Sequence, residues 1–147
     1  MKRLVQLATL DGAVDLGIAE KTGSLTPGKR ADIILVRTPD INMTPVGDPY
    51  EALVSRAQPT NIDTVIVDEI HALSESKRGD QLMLALARLQ TLAPGLRRVG
   101  LSATVEDPAA IARLLARAPD PCAILHADPG PEPDISMLVT EERPPWA

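Results

Sequence analysis

The chain is nearly without aromatic residues and holds a single cysteine. Of its 147 residues 1% are aromatic, with no Phe, one Tyr and one Trp. A core must therefore be built from Leu, Ile, Val, Ala and Met, and base-stacking platforms, which need aromatic faces, are nearly excluded. Cys122 alone excludes an intrachain disulfide and a multi-cysteine zinc site, and it reads as a small apolar residue in a strand. No apolar run approaches the ~20 residues of a membrane span. Acidic residues interrupt "LVQLATLDGAVDLG" near the start, so no secretory leader is expected; the expectation is a cytoplasmic chain with no membrane partner. A global excess of positive charge is missing too. The net charge is -5 and the pI is near 5.0, so any nucleic-acid contact must be local.

A hydrophobic content of 44% is enough for one modest globular core. Helical spacing runs over residues 2–19, with Leu4, Leu7, Ala8, Ala13 and Leu16 along one face. "TGSLTPG" breaks it, and "ADIILV" is a short β-rich run. A proline-rich loop, a brief helical patch "YEALVSRA" and a second apolar strand "IDTVIVDE" follow. After a loop at "IHALSESKRG" the helical pattern returns from Asp80 to Ala93 and stops at "PG". "RRVGLSAT" predicts a third strand. "EDPAAIARLLARA" predicts a helix with Asp107 as N-cap and Pro108 in its first turn. "CAILHA" predicts a fourth strand. From residue 65 onward the order is strand, helix, strand, helix, strand, which predicts parallel β-α-β units.

"GSLTPGKR", residues 23–30, spells most of a phosphate-binding loop. Such a loop must leave a buried strand and enter a helix, so that free N–H groups surround the phosphates. Here the order is reversed, from helical pattern to strand. Arg30 stands where a Ser or Thr should hold Mg²⁺, and Pro27 removes one N–H. The stretch reads as a turn.

The string "LATLDGAVDLGIAEKTGSLTPGKRADIILVRTPDINMTPVGDPYEALVSRAQPTNIDTVIVD" resembles the C-terminal end of amidohydrolase-superfamily enzymes, of the cytosine-deaminase and chlorohydrolase type. The resemblance implies that residues 1–66 are an amidohydrolase C-terminal fragment, a late helix followed by β-sandwich-type strands. The family's metal site needs an HxH pair, further histidines and a catalytic aspartate on barrel strands. None lies in the matching stretch, and His71 and His126 fall outside it, so the resemblance implies scaffold without a zinc site.

From Val65 the text is similar to a different family. "VIVDEIHALSESKRGDQLMLALARLQTLAPGLRRVGLSATVEDPAAIARLL" resembles superfamily 2 DExH helicases, of the large helicase-related and ligase-associated group. "DEIH" matches motif II and "SAT" matches motif III. The resemblance implies that residues 67–130 are part of an ATP-binding domain with a RecA-like parallel sheet, and that 131–147 are a proline-rich, acidic, truncated tail. The expected fold class is therefore α/β: a partial RecA-like sheet with helices behind an amidohydrolase-type helix and strands.

By that resemblance Asp68 would hold Mg²⁺ through water and Glu69 would orient or deprotonate the attacking water. His71, with Ser102, Ala103 and Thr104, would link nucleotide state to motion. Lys77 and Arg78 would reach a DNA phosphate; the plainer reading is a solvated charge pair. ATP, Mg²⁺ and DNA are thus the implied ligands. By the resemblance a phosphate loop should precede motif II, where amidohydrolase-like sequence stands instead, and the expectation is a chain without the second motor domain. The expectation is a helicase fragment without activity of its own. The alternatives are an amidohydrolase remnant lacking its metal site, or a non-enzymatic protein binding DNA weakly through Lys77, Arg78, Arg97 and Arg98. Both families carry a strand like "DTVIVD", so the join is expected inside residues 63–68. The "ADIILV" strand is expected to cover the sheet edge left vacant beside the motif III strand.

Overall fold

The computed structural model describes residues 1–74, 76–103, 105–116 and 121–127. The tail 131–147 expected from the sequence lies outside them. The described residues form a mixed α/β fold with a small three-stranded mixed sheet and helices. Among them, no helix is long and apolar enough to cross a membrane.

The chain opens with α1, Lys2–Gln6, which passes through a π-helical stretch, Leu7–Asp11, into α2, Gly12–Asp15. Helical pattern was expected to Ala19, yet α2 stops four residues sooner. Gly17 adopts φ +68°, and the N–H groups of Gly17 and Ile18 donate to Val14 O and Ala13 O. This double bond pattern closes a helix with a left-handed glycine and turns the chain away.

Strand β1, Ile33–Val36, and strand β2, Ile62–Val67, pair antiparallel, and β2 pairs in parallel with β3, Arg97–Gly100. The sheet order is β1-β2-β3. β1 therefore lies on the edge of β2 opposite β3, not beside the motif III strand as expected. The connection between β1 and β2 explains the choice. Its two ends are tied by Arg37 N to Asn61 O at 2.8 Å. Asn61 is 2% exposed, exchanges side-chain bonds with Asn42 and donates to Asp40. That satisfied buried network folds the loop back and delivers β1 to the near edge of β2. The loop also carries the short helix α3, Pro49–Ser55, capped by Asp48.

Helix α4, Lys77–Leu92, joins β2 to β3 in the expected β-α-β unit, and starts three residues before the apolar pattern suggests. Ser76 caps it by accepting from Gly79 N. A Cβ at Gly79 would collide with the Leu73 carbonyl, so only glycine lets the first turn of α4 sit against the preceding 3-10 turn, Ile70–Leu73. Helix α5, Pro108–Leu115, starts as expected, with Asp107 accepting from Ala110 N at 2.9 Å. The "CAILHA" strand does not form: residues 121–127 carry no strand. β3 is four residues long and offers a short edge, while the Cys122 side chain packs on the core instead.

The core is Val65, Val67, Ile70, Leu86, Ala93, Leu96 and Leu115, with no aromatic member. Burying Ile70 to 1% exposure contributes about 2–3 kcal/mol. Gln90 closes the α4–β3 corner, its Nε2 donating to Pro94 O at 3.0 Å and Leu96 O at 3.2 Å while its Oε1 accepts from Arg98. Truncating it takes a donor from the carbonyl of buried Leu96, so Gln90→Ala is expected to lower stability in urea unfolding by about 1–3 kcal/mol.

Two carboxyls are held below the usual range. A hydrogen bond from Arg97, then one from Thr64, lowers Asp63; a hydrogen bond from Asn61, then Arg37, lowers Asp40. A lowered folded-state pKa stabilises the fold above the unfolded value of about 3.9, and that contribution is lost as pH falls through the folded value. The urea midpoint is expected to be flat from about pH 7 to 5 and to fall below about pH 4. Asp63→Asn should reduce that fall.

Candidate functional site

The site lies where the C-terminal end of β2 meets the end of β3 and the turn before β1. Leu101 N donates to Val67 O at 2.8 Å, and Ile70 N donates to Leu101 O at 3.1 Å. These two bonds extend the parallel ladder past both strands and bring the "DEIH" and "SAT" segments side by side. His71 Nδ1 then lies 3.0 Å from Ser102 Oγ. A hydroxyl can give to or receive from either imidazole tautomer, so this pair is a polar hinge between the segments. Ala103 is exposed beside it. Thr104 lies outside the described residues.

Asp68 and Glu69 are placed differently from what motif matching alone would suggest. The antiparallel register Ile33↔Ile66, Ile34↔Val65 continues outward, so Ala31 faces Asp68 and Arg30 faces Glu69. Asp68 Oδ2 accepts from Ala31 N at 2.9 Å, and Asp68 Oδ1 accepts from Glu69 N at 3.0 Å. In return Asp68 N donates to Asp32 Oδ1 at 2.9 Å. Glu69 pairs with Arg30 at 2.5 Å, both side chains about half exposed. Glu69 also sits at φ 49°, ψ 39°, a left-handed conformation that costs a non-glycine residue on the order of 1 kcal/mol.

Motif matching missed residues 30–32. The signal was present: "KRAD" before one strand and "VDE" after the other oppose charges when the two strands pair antiparallel. Lys29 points elsewhere, donating to Ser24 Oγ at 2.8 Å and Thr22 O at 3.4 Å. The "GSLTPGKR" stretch leads into strand β1 and not into a helix, and its lysine braces its own turn.

Lys77 and Arg78 are exposed on the first turn of α4 and form no salt bridge among the described residues. Arg97 pairs with Asp63 at 2.5 Å, and Arg98 donates to Gln90 Oε1 and Leu86 O. Those two arginines brace the sheet, leaving Lys77 and Arg78 as the better placed cations for an anionic partner. A cavity of about 430 Å³ opens beside His71, between Ser74 and the Glu106–Asp107 entrance to α5. A second, of about 440 Å³, lies between α2 and the 22–25 turn with Arg30 and Asp32 at its mouth. Among the described residues no three His, Cys, Asp or Glu side chains are grouped to hold a metal ion.

Comparison with known proteins finds relatives of two kinds. Residues 1–89 match the model of the amidohydrolase family, more than half of the chain. The chain belongs to that family. Its relatives include 5-methylthioadenosine/S-adenosylhomocysteine deaminase of Acetivibrio thermocellus, 39% identical over 64 residues, 44% of this chain and 15% of that protein. It is also similar to helicases. Lhr helicase/uracil glycosylase of Escherichia coli (strain K12) is 36% identical over 129 residues, 86% of this chain and 8% of that protein. ATP-dependent helicase Lhr-Core protein 2 of Thermococcus barophilus is 55% identical over 51 residues, 35% of this chain and 6% of that protein. The chain thus spans less than a tenth of the length of these helicase relatives. No solved structure matches. The mixed resemblance read from the sequence holds in both parts, and the family match runs past residue 66, through β2 and into α4.

The strained Glu69 gives a direct test of the geometry. Glu69→Ala loses the ion pair and keeps the left-handed strain, while Glu69→Gly loses the ion pair and removes the strain. The glycine variant is expected to be about 0.5–1 kcal/mol more stable than the alanine variant in urea unfolding. Equal stabilities would mean that residue 69 is not left-handed in solution.

Proposed function

We propose that the chain carries the motif II and motif III segment of a DExH-type helicase motor, mounted on an amidohydrolase-derived helix and strand, and that it does not turn over ATP in this arrangement. The observation that carries the ancestry is the parallel β2–α4–β3 unit with the His71–Ser102 bond at its end. By the helicase resemblance this pair would link nucleotide state to motion of the motor. The partial RecA-like sheet, ATP and Mg²⁺ as ligands and DNA as partner belong to this proposal; the names of the helicase relatives support its helicase and ATP parts.

The acidic pair as arranged does not fit a hydrated Mg²⁺. Each Asp68 oxygen already accepts one backbone N–H, Glu69 is paired with Arg30, and among the described residues no three His, Cys, Asp or Glu side chains are grouped to hold a metal ion. Phosphoryl transfer needs a cradle of donors around the phosphates and a metal bridging them. The turn that spells most of such a cradle enters a strand, and Lys29 is spent within it. A weak DNA contact through Lys77 and Arg78 is compatible with the geometry.

DNA-stimulated ATPase of the chain, measured beside Glu69→Gln, tests the reading. Both are expected at the buffer background. Turnover by the wild-type chain that Glu69→Gln abolishes would contradict it.

A further inference from the structure

The disagreement between the acidic pair and a metal site has a local cause. We propose that residues 30–32 form an intramolecular plug over Asp68 and Glu69 that keeps a divalent cation off the pair. This rests on the motif II reading of that pair.

Three contacts make the plug. Ala31 N–H occupies Asp68 Oδ2, Asp32 Oδ1 receives Asp68 N–H, and the Arg30 guanidinium covers Glu69. They lie in one register with the β1–β2 ladder, so the plug is set by strand pairing and not by a loose surface meeting. Its parts are separable. The Arg30–Glu69 pair is about half exposed on both sides, a setting in which an ion pair contributes little to folding. Arg30 can be removed without unfolding the sheet. Its charge nonetheless opposes any cation approaching Glu69, Asp68 and Asp32 together.

Removing Arg30 takes the positive charge from a cluster in which Asp32, Asp68 and Glu69 each carry a negative one, which strengthens cation binding. Mn²⁺ serves as the probe, its free form counted by electron paramagnetic resonance during titration of the whole chain. Arg30→Gln is expected to bind Mn²⁺ about tenfold or more tighter than the wild type. Adding Asp68→Asn to Arg30→Gln should abolish the gain. Equal Mn²⁺ binding by wild type and Arg30→Gln would overturn the plug, as would a gain that survives Asp68→Asn. Circular dichroism of each variant confirms that the sheet is intact before the titration is read. Neither result touches the motor-segment reading, which falls only if the wild-type chain shows Glu69-dependent ATPase.

Discussion

Everything in the structure hangs on the two edges of β2. One edge holds β1 antiparallel, and the other holds β3 in parallel through α4. A β-strand exposes its backbone donors and acceptors to either side, and pairing depends on register and side-chain fit far more than on descent. A six-residue run of Ile, Asp, Thr, Val, Ile and Val can therefore serve an antiparallel neighbour and a parallel β-α-β unit at once. The core gathers on one side of this shared strand, where Val65 and Val67 join Leu86 of α4 and Leu115 of α5.

The two resemblances overlap along the chain. The amidohydrolase match extends to residue 89, while similarity to the Escherichia coli helicase covers 86% of the chain and so includes residues before β2.

The elements that were legible in the sequence are those with local causes. Asp107 before Pro108 marked the start of α5, and the apolar spacing from Leu82 to Leu89 marked the body of α4. The β2–α4–β3 unit followed from element order. Other features depended on tertiary partners and were not legible. Whether "CAILHA" forms a strand depends on a neighbour to pair with, and which edge "ADIILV" takes depends on the Asn42–Asn61 network in the intervening loop. The site was legible in half. His71 and Ser102 were named from their motifs and lie together. Asp68 and Glu69 were named for metal and water, yet meet Ala31 and Arg30, because motif matching assigns partners by family while strand register assigns them by geometry.

The central claim is that segments of two ancestries share one sheet through β2. Native-state amide exchange tests it most directly. If the sheet is shared, the hydrogen-bonded amides of β1 exchange with the same free energy as those of β3 and respond alike to low denaturant. If β1 amides exchange as in an unfolded chain while α4 and β3 stay protected, the shared sheet does not exist in solution.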